Sequence, residues 1–207
     1  MAVTAGRERR RTALRGAIVE AARAIVRDKG LHALTMRSIA DAIDYAPASL
    51  YAHFASREAL LGELCRDGLK ALRVALEREV NGVRDPRARL AALGTAYVRF
   101  AREHPDTYRL IFMEDAELTK GVFESVDSDD AAKALGLISE ALGVLRASGK
   151  LRKSADASAL TDLFWTVVHG AASLRLSCPR LPATDDEKLV ASAVAAIVDG
   201  FAPRASR

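Results

Sequence analysis

Apolar residues at helical spacing, separated by helix-capping and helix-breaking residues, recur along almost the whole chain. The first such run stops at Gly30, and Thr35 can cap a second, short run, MRSIADAI. Pro47 suits the first position of a third short helix that ends near Phe54. No stretch alternates apolar and polar residues convincingly enough for a strand. The sequence therefore predicts an all-α fold of about nine helices.

The later helices are predicted from the same kinds of signal. Ser56 can cap a fourth helix, and Asp85-Pro86 and His104-Pro105 each start another. Thr184 with Glu187 forms a capping box for the last helix, which closes at Gly200. Between them we predict an acidic loop at 115–127, a helix from Ser128 to Ser148 closed by Gly149, and a helix from Asp156 to Leu176.

The composition excludes several classes of protein. No apolar run approaches the roughly 18 residues of a membrane span, and the basic N-terminus lacks the apolar core of a secretory signal. Cys65 and Cys178 are far apart and have no partners at metal-site spacing. We therefore expect a cytoplasmic protein with no membrane contact, no metal and no cofactor.

Positive charge is concentrated at the N-terminal end. Residues 1–57 hold ten Lys and Arg against five acids, so this part carries +5 and the remaining 150 residues carry −1. A basic head on a near-neutral body suits a polyanionic partner, and an ordinary solvated arm is the alternative on charge alone. We predict that residues 1–11 form a basic flexible arm.

The stretch SIADAIDYAPASLYAHF, residues 38–54, has the form of a helix-turn-helix. Asp44-Tyr45 predicts a tight turn between two short helices, the second of which can lie in the major groove of DNA. Leu50 and Phe54, four residues apart, would anchor the second helix. Its opposite face carries short or hydrogen-bonding side chains and no acids, as a surface against bases and phosphates requires: Pro47, Ala48, Ser49, Tyr51, Ala52 and His53. At the start of the fourth helix, Arg57 and Ser56 could hold a backbone phosphate.

The segment IVEAARAIVRDKGLHALTMRSIADAIDYAPASLYAHFASREALLGEL resembles the DNA-binding head of the tetracycline-repressor (TetR) family of transcriptional regulators. The resemblance implies a helix-turn-helix head at 12–57 and a helical effector-binding and dimerisation body at 58–207. It also implies a set of DNA-contacting positions: Thr35, Arg37, Ser38, Ser49, Tyr51, His53 and Arg57, with Pro47 and Ala48 facing the groove. Ala46 and Asp44 depart from the family, which often has Ser and Gly there.

The body resembles the family's Trp-His-Gly subgroup through HPDTYRLIF and FWTVVHGAASL, which contain Trp165, His169 and Gly170. The helix from Asp156 to Leu176 is apolar on two sides and must be buried on both. We predict a homodimer formed by this helix and the last one, and the alternative is a monomer with both helices in its own core. The candidate interface residues are Leu160, Phe164, Val167, Val168, Ala171, Val190, Val194 and Ile197.

Aromatic and apolar residues of the body could line a pocket for an apolar or amphipathic effector, although plain core is the alternative. The candidates are Tyr97, Phe100, Tyr108, Ile111, Phe112, Trp165 and His169, with Tyr108 or His169 as a polar handle. The acidic residues Glu114, Asp115 and Glu117 indicate a solvated loop rather than a metal site.

These patterns favour a ligand-released repressor that binds a pseudo-palindromic operator as a homodimer. Two alternatives belong to other classes. A sequence-tolerant architectural DNA binder would spread its basic surface over the whole chain. An all-α enzyme lacks support, because the histidines are scattered and the chain has no Gly-x-Ser-x-Gly motif, phosphate loop or dinucleotide fingerprint.

Overall fold

The computed structural model describes residues 2–114, 129–178 and 180–203, with side chains from Gly6 onward. All regular structure in these ranges is helical, which confirms the all-α prediction. The helices are α1 (Ala2–Lys29), α2 (Met36–Ala42), α3 (Pro47–Leu50), α4 (Arg57–Val80), α5 (Pro86–Glu103), α6 (Pro105–Phe112), α7 (Asp129–Ala147), α8 (Ala157–Ser177) and α9 (Asp186–Gly200), with a 3₁₀ turn at Leu31–Ala33. No described helix is long and apolar enough to cross a membrane.

Most of the predicted helix boundaries agree with the structure. Gly30 has a φ of 80°, which ends α1, and Asp44 has a φ of 57° in the turn after α2. The Asp85 side chain accepts a hydrogen bond from the amide of Ala88 at the start of α5. The predicted acidic loop at 115–127, with Asp115 and Glu117, lies outside the described residues.

Three boundaries differ from the prediction. Residues 2–11, expected to be a flexible arm, form the first turns of α1, since arginine and alanine favour helix. Helix α3 ends at Leu50 rather than near Phe54, and a turn follows it. Asp185 caps α9 in place of Thr184, because its carboxylate accepts from the amide of Lys188 at 2.9 Å.

The chain forms two compact units, and their boundary is not the predicted one at 57/58. The first unit contains residues 1–68 and 106–125, and the second contains 69–105 and 126–207. Helix α4 begins at Arg57 and runs unbroken to Val80, and the boundary after Gly68 falls within this helix. Gly68 permits a close approach of α6, because a Cβ at this position would lie 2.7 Å from both Ile111 Cδ1 and Thr107 Cγ2.

The core of the second unit is built around α5, which packs against α7, α8 and α9. Gly94 lies at the tightest contact, where a Cβ would lie 2.6 Å from Val190 Cγ1 and 3.1 Å from Val168 Cγ1. Seven of the eight predicted dimer residues are buried within the chain itself: Leu160, Phe164, Val168, Ala171, Val190, Val194 and Ile197. These side chains are core and unavailable to a partner, because the face that carries them packs on α5. Val167 alone is half-buried.

Candidate DNA-binding surface

Helix α3 has one buried side and one exposed side. Leu50 is fully buried and Phe54 is 3% exposed, so these two residues anchor the segment as expected. The proline, alanine and serine at 47–49 are exposed, and Tyr51 exposes 54% of its surface. The outward side is therefore small, uncharged and able to form hydrogen bonds.

The start of α2 is closed by a reciprocal cap. The Ser38 amide donates to Thr35 Oγ1 and the Thr35 amide donates to Ser38 Oγ, both at 2.9 Å. Ser38 Oγ also donates to the Ala33 carbonyl at 2.9 Å, and its side chain is half-buried. Ser38, predicted as a DNA contact, is therefore a capping residue, whereas Arg37 beside it is exposed.

Arg15 of α1, which is not among the predicted site residues, holds the segment after α3. Its guanidinium lies 4.2 Å above the centroid of the Phe54 ring, and Nη1 donates to the His53 carbonyl at 2.9 Å. Nη2 pairs with Glu63 of α4. These partners are 38 to 48 residues away along the chain, so no local pattern could have indicated them.

Arg57, predicted to hold a phosphate, serves the fold. Its Nε donates to the Leu34 carbonyl at 2.7 Å and its Nη2 donates to the Leu31 carbonyl at 3.1 Å. Arg57 therefore ties the 3₁₀ turn before α2 to the start of α4. Two of its donor groups are thus committed to backbone carbonyls, and its contact with a DNA phosphate stays a prediction.

Tyr45 is a second residue that the prediction missed. It follows Asp44 in the turn, its amide donates to the Ala40 carbonyl at 3.0 Å, and its side chain is 49% exposed. The sequence did contain a signal for Tyr45, namely an aromatic residue in the tight turn two positions before α3 begins. His53, three residues after the end of α3, is half-buried.

The predicted pocket residues belong to two different units. Tyr108, Ile111 and Phe112 are in the first, where the Tyr108 and Phe112 ring centroids are 4.9 Å apart. The other four are in the second unit. There, Tyr97 Oη lies 2.9 Å from His169 Nδ1, and the His169 ring lies 5.1 Å from that of Trp165. Phe100 packs against His104 at 4.9 Å.

Burial lowers the pKa of His169 below its ordinary value of 6.5. The neutral ring is therefore the form present beside Tyr97 at neutral pH. As the pH falls below 6.5 the unfolded chain binds this proton first, so the free energy of unfolding decreases.

Comparison with known families agrees with this arrangement. Residues 18–64 match the family described as bacterial regulatory proteins, tetR family. Residues 90–197 match the tetracyclin repressor-like, C-terminal domain, and this match covers more than half of the chain. The chain belongs to the TetR family. It is a helix-turn-helix transcriptional regulator with a helical C-terminal body. The TetR family is not a family of enzymes, which confirms that part of the prediction.

Relatives within the TetR family include the HTH-type transcriptional repressor KstR2 of Mycobacterium tuberculosis, which is 36% identical over 103 residues. That match covers 50% of this chain and 51% of the relative, so the chain spans about half the length of the curated relatives it matches. A solved structure of a Rhodococcus protein of unknown function is 26% identical, with a TM-score of 0.74 over 92% of this chain and 96% of that one. Bacillus subtilis FadR in complex with stearoyl-CoA has a TM-score of 0.70 at 15% identity, over 89% and 97%, and so shares the fold.

We predict that Arg57→Ala lowers the free energy of unfolding by about 1–3 kcal/mol, because two backbone carbonyls lose a charged donor. Arg37→Ala is the matched control, since Arg37 is exposed, and it should change this free energy by less than about 0.5 kcal/mol. Denaturant unfolding followed by circular dichroism measures both. Equal stability of the two variants would contradict a structural role for Arg57.

Proposed function

We propose that this chain is a ligand-released repressor that binds a pseudo-palindromic DNA operator as a homodimer. The observation that carries the proposal is the outward side of α3, where exposed, uncharged side chains stand on a helix anchored by Leu50 and Phe54. The relative KstR2 is named a transcriptional repressor, and this name supports repression rather than activation.

In this proposal α3 lies in the major groove. The Ser49 hydroxyl can donate to or accept from a base edge, and the Ala48 methyl can contact a thymine methyl. The exposed Tyr51 hydroxyl and the Arg37 guanidinium reach phosphates, which fix the register without reading sequence. Two heads would read half-sites about 34–36 Å apart, one helical turn of DNA.

We predict that Tyr51→Ala weakens binding to a sequence selected from random DNA by about 10- to 100-fold, through loss of a phosphate hydrogen bond and of ring contacts. Tyr51→Phe, which removes only the hydroxyl, should lose a smaller part of this affinity. Fluorescence anisotropy with labelled duplex measures both. Unchanged affinity in the alanine variant would contradict the placement of α3. Selection that yields no sequence preference would favour an architectural DNA binder instead.

We propose a dimer interface on a side of α8 different from the Leu160, Phe164 and Val168 side that the sequence predicted. Leu163 and Leu174 expose 40% and 43% of their surface, and Val167 and Gly170 between them are half-buried. The spacing of 4, 3 and 4 residues places all four on one stripe of the helix. A Cβ at Gly170 would meet nothing within 4 Å, so this stripe is open to another chain. The neighbouring helix α9 exposes alanines at 191 and 196, which allow close approach.

We predict that Leu163→Arg and Leu174→Arg each convert the dimer to a folded monomer. Both side chains are exposed in the single chain, so the arginine would be solvated until a partner buries it. Val144→Arg on α7 is the matched control, since Val144 is 47% exposed, and this variant should remain dimeric. Sedimentation velocity distinguishes the species. A wild-type chain that is monomeric at micromolar concentration would refute the homodimer.

The proposed effector is apolar or amphipathic. The cluster of Tyr97, Trp165 and His169 supports this class, because it places one polar pair beside an aromatic ring at the edge of the core, where Tyr97 is buried and Trp165 and His169 are half-buried. The resemblance of Trp165, His169 and Gly170 to the Trp-His-Gly subgroup remains part of the proposal. The names of two solved structures with a similar fold agree with it, since one is a ketosteroid transcriptional regulator and another holds stearoyl-CoA. Release requires that the ligand prefers a conformation with lower operator affinity.

We predict that an amphipathic ligand changes Trp165 fluorescence and releases the operator at the same concentrations. Stearoyl-CoA and a ketosteroid are the compounds to titrate, with free CoA as the control that lacks the apolar chain. Tyr97→Phe should weaken the effective ligand by about 2- to 10-fold, the contribution of one hydrogen bond. A compound that frees DNA without changing Trp165 emission would place the effector elsewhere.

A further inference from the structure

An open groove of about 880 Å³ lies in the first unit, between the N-terminal part of α1 and the helix-turn-helix. We call it the basic groove. Its α1 side presents three arginines, Arg7, Arg10 and Arg11, with Glu8, Ala13, Leu14 and Ala17, and its other side is formed by Ile43, Tyr45, Ala52 and His53. A smaller groove of about 270 Å³ shares Glu8, Arg11 and His53 with it.

The three arginines point to this groove because α1 is helical from residue 2 onward. Positions 7, 10, 11 and 14 follow the i, i+3, i+4, i+7 spacing of one helix face. Leu14 is half-buried on that face, which fixes its rotation. Arg9 belongs to the same basic run but lines neither groove.

The charges of the basic groove are not neutralised by the protein. Among the described residues, Arg7, Arg10 and Arg11 form no ion pair and are all exposed, whereas Arg15, Arg23 and Arg27 further along α1 pair with Glu63, Asp67 and Asp28. Glu8 is the single acid that lines the groove. Three guanidiniums against one carboxylate leave a surplus of positive charge that suits a polyanion.

We propose that the basic groove binds phosphates of the DNA backbone that flank the bases contacted by α3, and this rests on the proposed function. The groove lies beside α3, because Tyr45, two residues before α3, and Ala52 and His53, two and three residues after it, line the groove. A helix is about 10–12 Å wide and cannot enter the minor groove, which is about 6 Å wide. With α1 outside the grooves, the proposal assigns its arginines to the phosphates that border them, where they supply affinity rather than sequence preference.

The test is the salt dependence of DNA binding by the full chain. Each phosphate contact contributes about 0.9 to the slope of log affinity against log salt. In the proposed homodimer each substitution removes one contact from each of two heads, so Arg7→Gln, Arg10→Gln and Arg11→Gln should each flatten the slope by about 1.8, and the triple variant by about 5.4. Over a fourfold rise in salt, the wild type would then lose about 1,800-fold more affinity than the triple variant. The substitutions should change the affinity for the selected DNA and the affinity for random DNA by the same factor.

Two controls separate these contacts from general charge. Arg9→Gln removes the same charge one residue away and should change the slope by less than about 0.3. The triple Arg→Lys variant keeps three charges on the same face and should keep the wild-type slope. A slope change in Arg9→Gln equal to that of the other three would mean diffuse attraction and overturn the proposal. A shift in sedimentation of the free triple variant at an unchanged slope would assign the groove to a second copy of the chain, which also overturns it.

Failure of this inference is distinguishable from failure of the proposed function. If Tyr51→Ala loses the selected sequence while the triple glutamine variant keeps the wild-type slope, α3 reads DNA and the basic groove does not contact it. If the wild-type chain binds no DNA at any salt concentration, both proposals are wrong.

Discussion

The contact between Arg15 and the Leu50–Phe54 segment fixes the orientation of α3, and therefore the side of α3 that the head exposes. Helix α3 has four residues, and helices shorter than about 12–15 residues are marginal in water on their own. Its orientation must therefore come from tertiary contacts. Leu50 and Phe54 bury one side, and the planar guanidinium of Arg15 covers the Phe54 ring while it holds the His53 carbonyl and Glu63. One side chain thus couples α1, the end of α3 and α4.

This dependence divides the polar residues of the head into two groups. Ser38 and Arg57 form hydrogen bonds within the head. Ser38 caps α2, and Arg57 donates to the carbonyls of Leu31 and Leu34. Exposed groups remain on α3, at Arg37 and along the N-terminal part of α1. In the proposed DNA complex, α3 would supply most of the sequence preference, and α1 would supply charge. Charge and sequence preference would then lie on separate helices joined by Arg15.

In the second unit the corresponding constraint is the close packing at Gly94. Because no side chain separates α5 from α8 and α9 there, Val168 and Val190 lie directly against the α5 backbone. The composition of α8 makes two of its sides apolar, but it does not identify which side belongs to the chain's own core. Packing on α5 buries the side of α8 that carries Leu160, Phe164 and Val168, whereas Leu163 and Leu174 stay exposed.

The sequence by itself determined the helical class, most helix ends and the helix-turn-helix, because these depend on local causes. Glycine and aspartate at positive φ, a proline at the first position of a helix and a reciprocal cap act within a few residues, so a linear pattern contains them. Tertiary structure alone decided that Arg57 and Ser38 serve the fold, that Arg15 holds α3, and which side of α8 is core. These assignments depend on contacts between residues tens of positions apart, and local spacing gives a helix its faces without naming the neighbour that each face meets.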